Sequence, residues 1–238
     1  MNAAVTRVAA IGDLHVQEDG SVSYRDIFAE MSERSDVIVI AGDLTDLGKP
    51  AEARLLVEDL RASRVPVVAV LGNHDHQSDC VEEVSAIIRE AGVYLLDGTA
   101  VELKGVTFAG VKGFVGGFGR QMLASFGEAA IKVMVAESLN ETIKLENALR
   151  QIRTPKSLAL LHYSPTADTV EGEPPQIWPF LGSARLGEVI DRYRVSAVVH
   201  GHAHHGTHVG RTAGGIPVYN VARHIEKPEG RPYIVLKL

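Results

Sequence analysis

The sequence predicts an α/β protein built in layers, and three observations carry that reading. Runs of consecutive apolar, mostly β-branched residues recur at 8–11, 37–41 and 67–71. Their lack of polar alternation is the mark of strands covered on both faces, as in a parallel sheet under helices. Helix-period stripes fall between the runs, which gives the order β-α-β-α-β-α. Each run also ends at a glycine (Gly12, Gly42, Gly72) that is followed by side chains able to bind metal.

After the strand at 8–11, a helix is predicted over 24–34. After the strand at 37–41, Pro50 suits a first helical position, where its missing N–H is not needed. Ala53, Leu56, Val57 and Leu60 then repeat at helical spacing. After the third strand, Val81, Val84, Ile88 and Ala91 form another stripe, and Gly92 supplies a C-terminal stop. Residues 101–109 read as a hairpin turning at Lys104-Gly105. The stretch 113–119, GFVGGFG, reads as a glycine-rich loop, either a wall of a cleft or a connector. Residues 128–152 are predicted helical with a break near Ser138-Leu139-Asn140. Strands return at 158–161 and 197–199, separated by a helix with Leu186, Val189, Ile190 and Tyr193 on one face. Residues 216–221 and 233–238 close the chain as strands. Pro165, Pro174, Pro175 and Pro179 exclude a regular element from 164–182, a loop that could overhang the strand ends. With no linker, charge block or repeat, 1–238 reads as one domain.

Composition narrows the function classes. The 238 residues carry 24 Lys and Arg against 30 Asp and Glu, a net charge of −6, which is not the balance of a general nucleic-acid binder. A single cysteine, Cys80, excludes a disulfide framework and a Cys-rich zinc site and fits a reducing compartment. No apolar run approaches the roughly 20 residues of a membrane span, and the first eleven residues lack the basic cluster of a signal peptide, so a cytoplasmic location is expected. The apolar stripe in 128–152 leaves an oligomer open.

The chemistry lies at the carboxyl ends of the strands, the edge where layered α/β domains bind ligands. Five strand candidates are followed there by Asp13-Leu14-His15, Asp43, Asn73-His74-Asp75, His162 and His200-Gly201-His202-Ala203-His204. Asp13 and His15 are two residues apart, as are His202 and His204, so in extended backbone each pair can point one way. Aspartate, asparagine and imidazole donors without thiolate suit Mn, Fe, Co, Ni or Zn. Seven donors exceed one four-coordinate ion. With one carboxylate bridging, they fit two ions about 3.5–4 Å apart.

The ordered series Asp13-x-His15, Gly42-Asp43, Gly72-Asn73-His74-Asp75, His162 and Gly201-His202-x-His204 resembles the signature of the calcineurin-like metallophosphoesterases. The resemblance implies a four-layer α/β/β/α sandwich with mixed sheets and a di-metal centre. It implies one metal held by Asp13, His15, Asp43 and His204, and a second by Asp43, Asn73, His162 and His202. It further implies that His74 contacts the phosphate or leaving group. Asp75 is a candidate to orient His74. Leu47 stands where the family's protein phosphatases carry the arginine of GDxVDRG, and Asp75 where they carry glutamate, so the chain looks more like the small bacterial phosphodiesterase-type members.

The implied activity is hydrolysis of a small phosphate ester, a phosphodiester before a monoester, by a water or hydroxide bridging two Mn, Fe or Zn ions. A catalytically silent protein-binding scaffold is the competing reading. It is disfavoured because Asn73, His74 and every metal candidate are retained. Arg120, which closes the glycine-rich loop, and Tyr163, which follows His162, are the candidate substrate contacts. His208 and His224 read as surface or packing residues, while His76, His200 and His205 flank the motifs without an assigned role.

Overall fold

The computed structural model describes residues 5–238. In chain order the elements are β1 (Arg7–Ile11), α1 (Arg25–Arg34), β2 (Val37–Ala41), α2 (Pro50–Leu60), β3 (Val67–Val70), α3 (Val81–Glu90), β4 (Tyr94–Leu95), β5 (Thr99–Leu103) and β6 (Val106–Gly110). They continue with α4 (Ala129–Leu149), β7 (Lys156–Leu160), α5 (Trp178–Leu181), α6 (Ala184–Tyr193), β8 (Ala197–His200), β9 (Val209–Arg211), β10 (Pro217–Asn220) and β11 (Ile234–Lys237).

Two mixed sheets result. One has the order β11-β1-β2-β3-β4, with β11 antiparallel to β1 and the other pairs parallel. The other has the order β5-β6-β7-β8-β10-β9, antiparallel at both edges and parallel inside.

The unbroken apolar runs have a direct explanation in the packing. Successive strand side chains point to opposite faces. Val8, Ala10, Val37, Val39, Val68 and Val70 face Phe108, Leu158, Leu160 and Val199 of the second sheet. Their neighbours Ala9, Ile11, Ile38, Ile40 and Ala69 face Phe28, Met31, Leu56, Val84 and Ile88 of α1–α3. On the far side, Ala109, Ala159, Leu161 and Val198 pack on Leu145, Leu149, Leu186 and Ile190 of α4 and α6. These three cores make a four-layer α/β/β/α sandwich. Each fully buried Val, Leu, Ile or Phe contributes about 1.5–3 kcal/mol.

The hairpin turns where its sequence indicates: Lys104 and Gly105 both have positive φ, 53° and 76°, as a two-residue type I′ turn requires. The predicted break in the long helix is absent. α4 runs unbroken, with Ser138 buried and its carbonyl accepting from Thr142 Oγ1. The proline-rich 164–182 stretch does contain the short α5, since Pro179 falls in its first turn, where proline is tolerated. At the carboxyl edge the sheets are joined: Gly12 N–H donates to Val221 O at 2.9 Å and Arg223 N–H to Gly12 O at 3.0 Å. Within the second sheet, Gly201 N–H donates to His162 O at 3.1 Å, which draws those strand-end loops together.

Candidate metal centre

The loops after β1, β2, β3, β7 and β8 converge on one site, and the backbone there is strained. Asp13, His15, Asp43 and His202 all have positive φ, between 47° and 70°. Left-handed non-glycine residues cost of order 1–3 kcal/mol each and cluster at functional sites. This corrects the extended-backbone argument for the Asp13–His15 and His202–His204 pairs: their side chains converge because the chain turns sharply.

Two groups of donors gather the predicted ligands, and a third, of His15, Asp46 and His74, shares His15 with the first. Ligand atoms of Asp13, His15 and His204 lie within 4.8 Å of one another, and so do those of Asp43, His162 and His202. Asn73 joins the second group, its Oδ1 2.9 Å from His162 Nε2. Asp43 lies between them. Its Oδ2 is 3.7 Å from His15 Nε2, and its Oδ1 is 3.3 Å from His162 Nε2.

Second partners fix the rings. His162 Nδ1 faces Ala41 O at 2.9 Å, which leaves Nε2 for the site. His202 Nε2 faces Phe180 O at 3.1 Å, which leaves Nδ1. Such outer hydrogen bonds set the tautomer of ligating histidines. The contact from Phe180 also shows that the 164–182 loop overhangs the second group. Trp178 anchors that loop by donating from Nε1 to Glu173 O at 3.0 Å.

The donor set fits a pair of cations. Asp13, Asp43 and Asp75 are all buried, and among the described residues none pairs with a lysine or arginine. Burial, then the charges of Asp13 and Asp75, push the Asp43 carboxyl well above the usual range. Burial also raises Asp13, but the hydrogen bond from His204 and the nearby imidazoles outweigh it and hold its carboxyl low. Burial lowers His15 and His202 to about 4 and holds His162 well below its usual value, so these rings are neutral and free to coordinate. Asp13 Oδ2 and both ring nitrogens of His15 are buried without a hydrogen-bond partner. A Cβ on Gly72 would overlap Asp43 Oδ1, and one on Gly201 would overlap Asp13 Oδ2, so glycine there is what lets both carboxylates seat.

This arrangement matches what comparison finds. The family model described as calcineurin-like phosphoesterase covers residues 6–206. The chain belongs to the calcineurin-like phosphoesterase family. A curated relative, the probable glycerophosphodiester phosphodiesterase GpdQ of Arcobacter nitrofigilis, is 22% identical over 222 residues, 83% of this chain and 71% of its own length. The GpdQ glycerophosphodiester phosphodiesterase of Enterobacter lignolyticus is 31% identical over 62 residues, 26% of this chain and 22% of its own. Among solved structures, TT1561 of Thermus thermophilus aligns with a TM-score of 0.57 and 17% identity, covering 92% of this chain and 90% of that one.

In this calcineurin-like phosphoesterase, His74 sits at the mouth of the first group, its ring centroid 4.4 Å from that of His15. Its backbone N–H donates to Asp43 Oδ1 at 2.9 Å, and its Nδ1 lies 2.6 Å from Asp46 O. The expectation that Asp75 orients His74 is corrected. Asp75 accepts from the backbone of Leu44, Thr45 and Gly72 and from Thr45 Oγ1, at 2.6–3.2 Å, so it clamps the second loop to the third. Asp46 was missed: it holds His74 through a backbone carbonyl, which leaves no signature in sequence, and its carboxylate reaches His15 from outside the motif.

Tyr163 is buried, its ring 4.4 Å from that of His202. Arg120 is exposed on a turn at Gly119–Gln121, outside both donor groups. His200 is buried and its Nε2 meets Thr169 Oγ1 at 2.7 Å, a packing role. His205 is exposed, and its N–H donates to Glu173. His224, read as surface or packing, lies with its ring 4.5 Å from that of His204, on the rim of the first group. No helix among the described residues is long and apolar enough to cross a membrane.

Proposed function

We propose that this chain is a phosphodiesterase of small molecules, nucleotides or similar diesters, that works with two transition-metal ions, Mn, Fe or Zn. Asp13, His15, Asp43 and His204 would hold one ion, and Asp43, Asn73, His162 and His202 the other. The observation that carries the reading is Asp43, whose two oxygens face the neutral imidazoles of His15 and His162, one from each donor group. The phosphodiester preference is supported by the names of the two curated relatives.

When bound, two such ions supply Lewis-acid charge to phosphoryl oxygens and a water of lowered pKa. The chain's own residues do the rest. The carboxylates and imidazoles fix where that charge sits, and Asp75 holds two of the ligand loops in register. His74 has Nδ1 engaged by a carbonyl, which can only accept, so Nδ1 carries a proton and Nε2 is the ring atom left to face substrate. With the neutral ring, Nε2 can accept a hydrogen bond from a substrate group. With the doubly protonated imidazolium, Nε2–H can give a hydrogen bond or a proton to the leaving oxygen, the ring then keeping its proton on Nδ1. Tyr163 forms the wall beside His202. This retained machinery is what argues against a silent scaffold.

The test is hydrolysis of bis(4-nitrophenyl) phosphate and 4-nitrophenyl phosphate by Mn-loaded protein. The reading requires turnover of both to depend on metal and the diester to be preferred. Preference for the monoester would make the chain a phosphomonoesterase on the same centre. Inactivity on both with metal bound would favour the scaffold.

A further inference from the structure

Beside Asn73 the surface opens into a cavity of about 410 Å³, walled by Asn73, His76, Lys112, Phe114, Glu137 and Tyr163. It starts at a ligand of the second donor group and continues along the Tyr163 and Phe114 rings, whose centroids are 5.9 Å apart. Lys112 stands on its wall. The residue is tied rigidly to the site, because its backbone carbonyl accepts from the N–H groups of both His162 and Tyr163, at 3.0 and 3.1 Å. Its ammonium lies over Phe114 and Tyr163, 4.8 and 5.4 Å from the ring centroids, a placement that stabilises a cation.

The ammonium is under-used. It has three N–H donors. One goes to Gly113 O at 2.9 Å. Among the described residues no carboxylate pairs with it: Glu141 is taken by Lys144 and by Gly113 N–H, and Glu137 accepts from Asn140. Glu141 and Glu137 act on the ammonium as nearby charges, but neither lies at ion-pair distance. A lysine so placed, held by aromatic rings on a cavity wall next to a candidate metal ligand, has donors free to meet an anion from outside the chain. The scissile phosphate belongs between the two donor groups, so the anion met here is a further one on the same molecule.

We propose that Lys112 is a specificity-determining residue that selects phosphodiesters with a second anionic group, a carboxylate or a phosphate, on one of their alcohols. The inference rests on the phosphodiesterase reading above. It does not depend on whether the alcohol that carries the anion is the one expelled or the one retained.

Three diesters that release the same 4-nitrophenolate test it: 4-nitrophenyl propyl phosphate, its 2-carboxyethyl counterpart and its 2-phosphoethyl counterpart. One charge-assisted hydrogen bond corresponds to a preference of about 10- to 100-fold in kcat/KM. Mn-loaded wild-type protein is expected to favour at least one anionic diester over the propyl diester by such a factor, mainly through KM. Which of the two it favours tells carboxylate from phosphate. Lys112→Met is expected to abolish the ratio and Lys112→Arg to keep most of it. Equal kcat/KM for all three in the wild type would overturn the proposal whether or not the variants fold, and so would an anionic preference that survives Lys112→Met. No turnover of any of the three would instead overturn the phosphodiesterase reading itself.

Discussion

The imidazole of His74 is held by a backbone oxygen: its Nδ1 lies 2.6 Å from the carbonyl of Asp46. The Asp46 side chain meanwhile reaches the neighbouring ring, with Oδ1 3.5 Å from His15 Nδ1. One residue thus touches both a candidate metal ligand and the candidate proton donor. The ring angle of His74 is therefore set by the second strand-end loop, which also carries Asp43. The candidate proton donor and the candidate metal ligands share one support.

If His74 serves the leaving oxygen, its removal should matter most when that oxygen is hard to expel. Positioned acid–base groups contribute about 10²–10⁴ in rate. His74→Ala is expected to keep metal content and fold and to lose about that factor in kcat on an alkyl diester. The loss should be smaller on a nitrophenyl diester, whose leaving group needs little proton assistance. Steady-state rates on the two substrates check this; equal losses would indicate charge stabilisation of the transition state instead.

Asp75 makes a contrasting prediction. Its four accepted hydrogen bonds are buried, and leaving such donors unmet costs about 1–3 kcal/mol each. Asp75→Ala is expected to lower unfolding free energy by at least about 3 kcal/mol in urea titration of the metal-free protein. The activity of folded Asp75→Asn should fall by a similar factor on alkyl and nitrophenyl diesters. A selective loss on the alkyl diester would restore a role for Asp75 through His74.

Lys227, which feels the charge of Asp13, gives a pH signature that can be read on the metal-free protein. Its ammonium is buried, donates to Ala222 O and Ile225 O, and is lowered by burial from 10.5 to about 8. Below pH 8 the lysine is charged in both folded and unfolded chains. Between about 8 and 10.5 the unfolded chain holds the proton more tightly, so this group's contribution to stability rises with pH. The unfolding free energy of wild type minus that of Lys227→Met is therefore expected to increase from pH 7.5 to pH 10. A flat difference would show that the ammonium is not perturbed.

Much of this was legible in the chain. Unbroken runs such as Val37–Ala41 announce strands covered on both faces, because helices lie on one side and the second sheet on the other. The seven metal candidates were readable because each follows a strand directly, and the carboxyl edge gathers whatever follows parallel strands. Less legible were contacts that depend on tertiary placement. β4 and β9, of two and three residues, are too short to show a period. Asp46, three residues past the Gly42-Asp43 motif, meets His74 through its carbonyl and His15 through its carboxylate only because the loop folds back. Lys112 stands out only once Phe114 and Tyr163 surround it. Asp75 was misread because sequence adjacency to His74 says nothing of direction: in the short turn at His74–His76 its side chain points inward.

The central claim is that two donor groups, joined by Asp43, hold two ions. Elemental analysis of protein saturated with Mn and freed of excess metal tests it most directly, read on wild type, Asn73→Ala and Asp43→Ala. The account predicts two equivalents per chain in the wild type, a drop toward one in Asn73→Ala and loss of both in Asp43→Ala. A wild-type stoichiometry that stays at one in excess Mn, or two equivalents retained in Asp43→Ala, would contradict it.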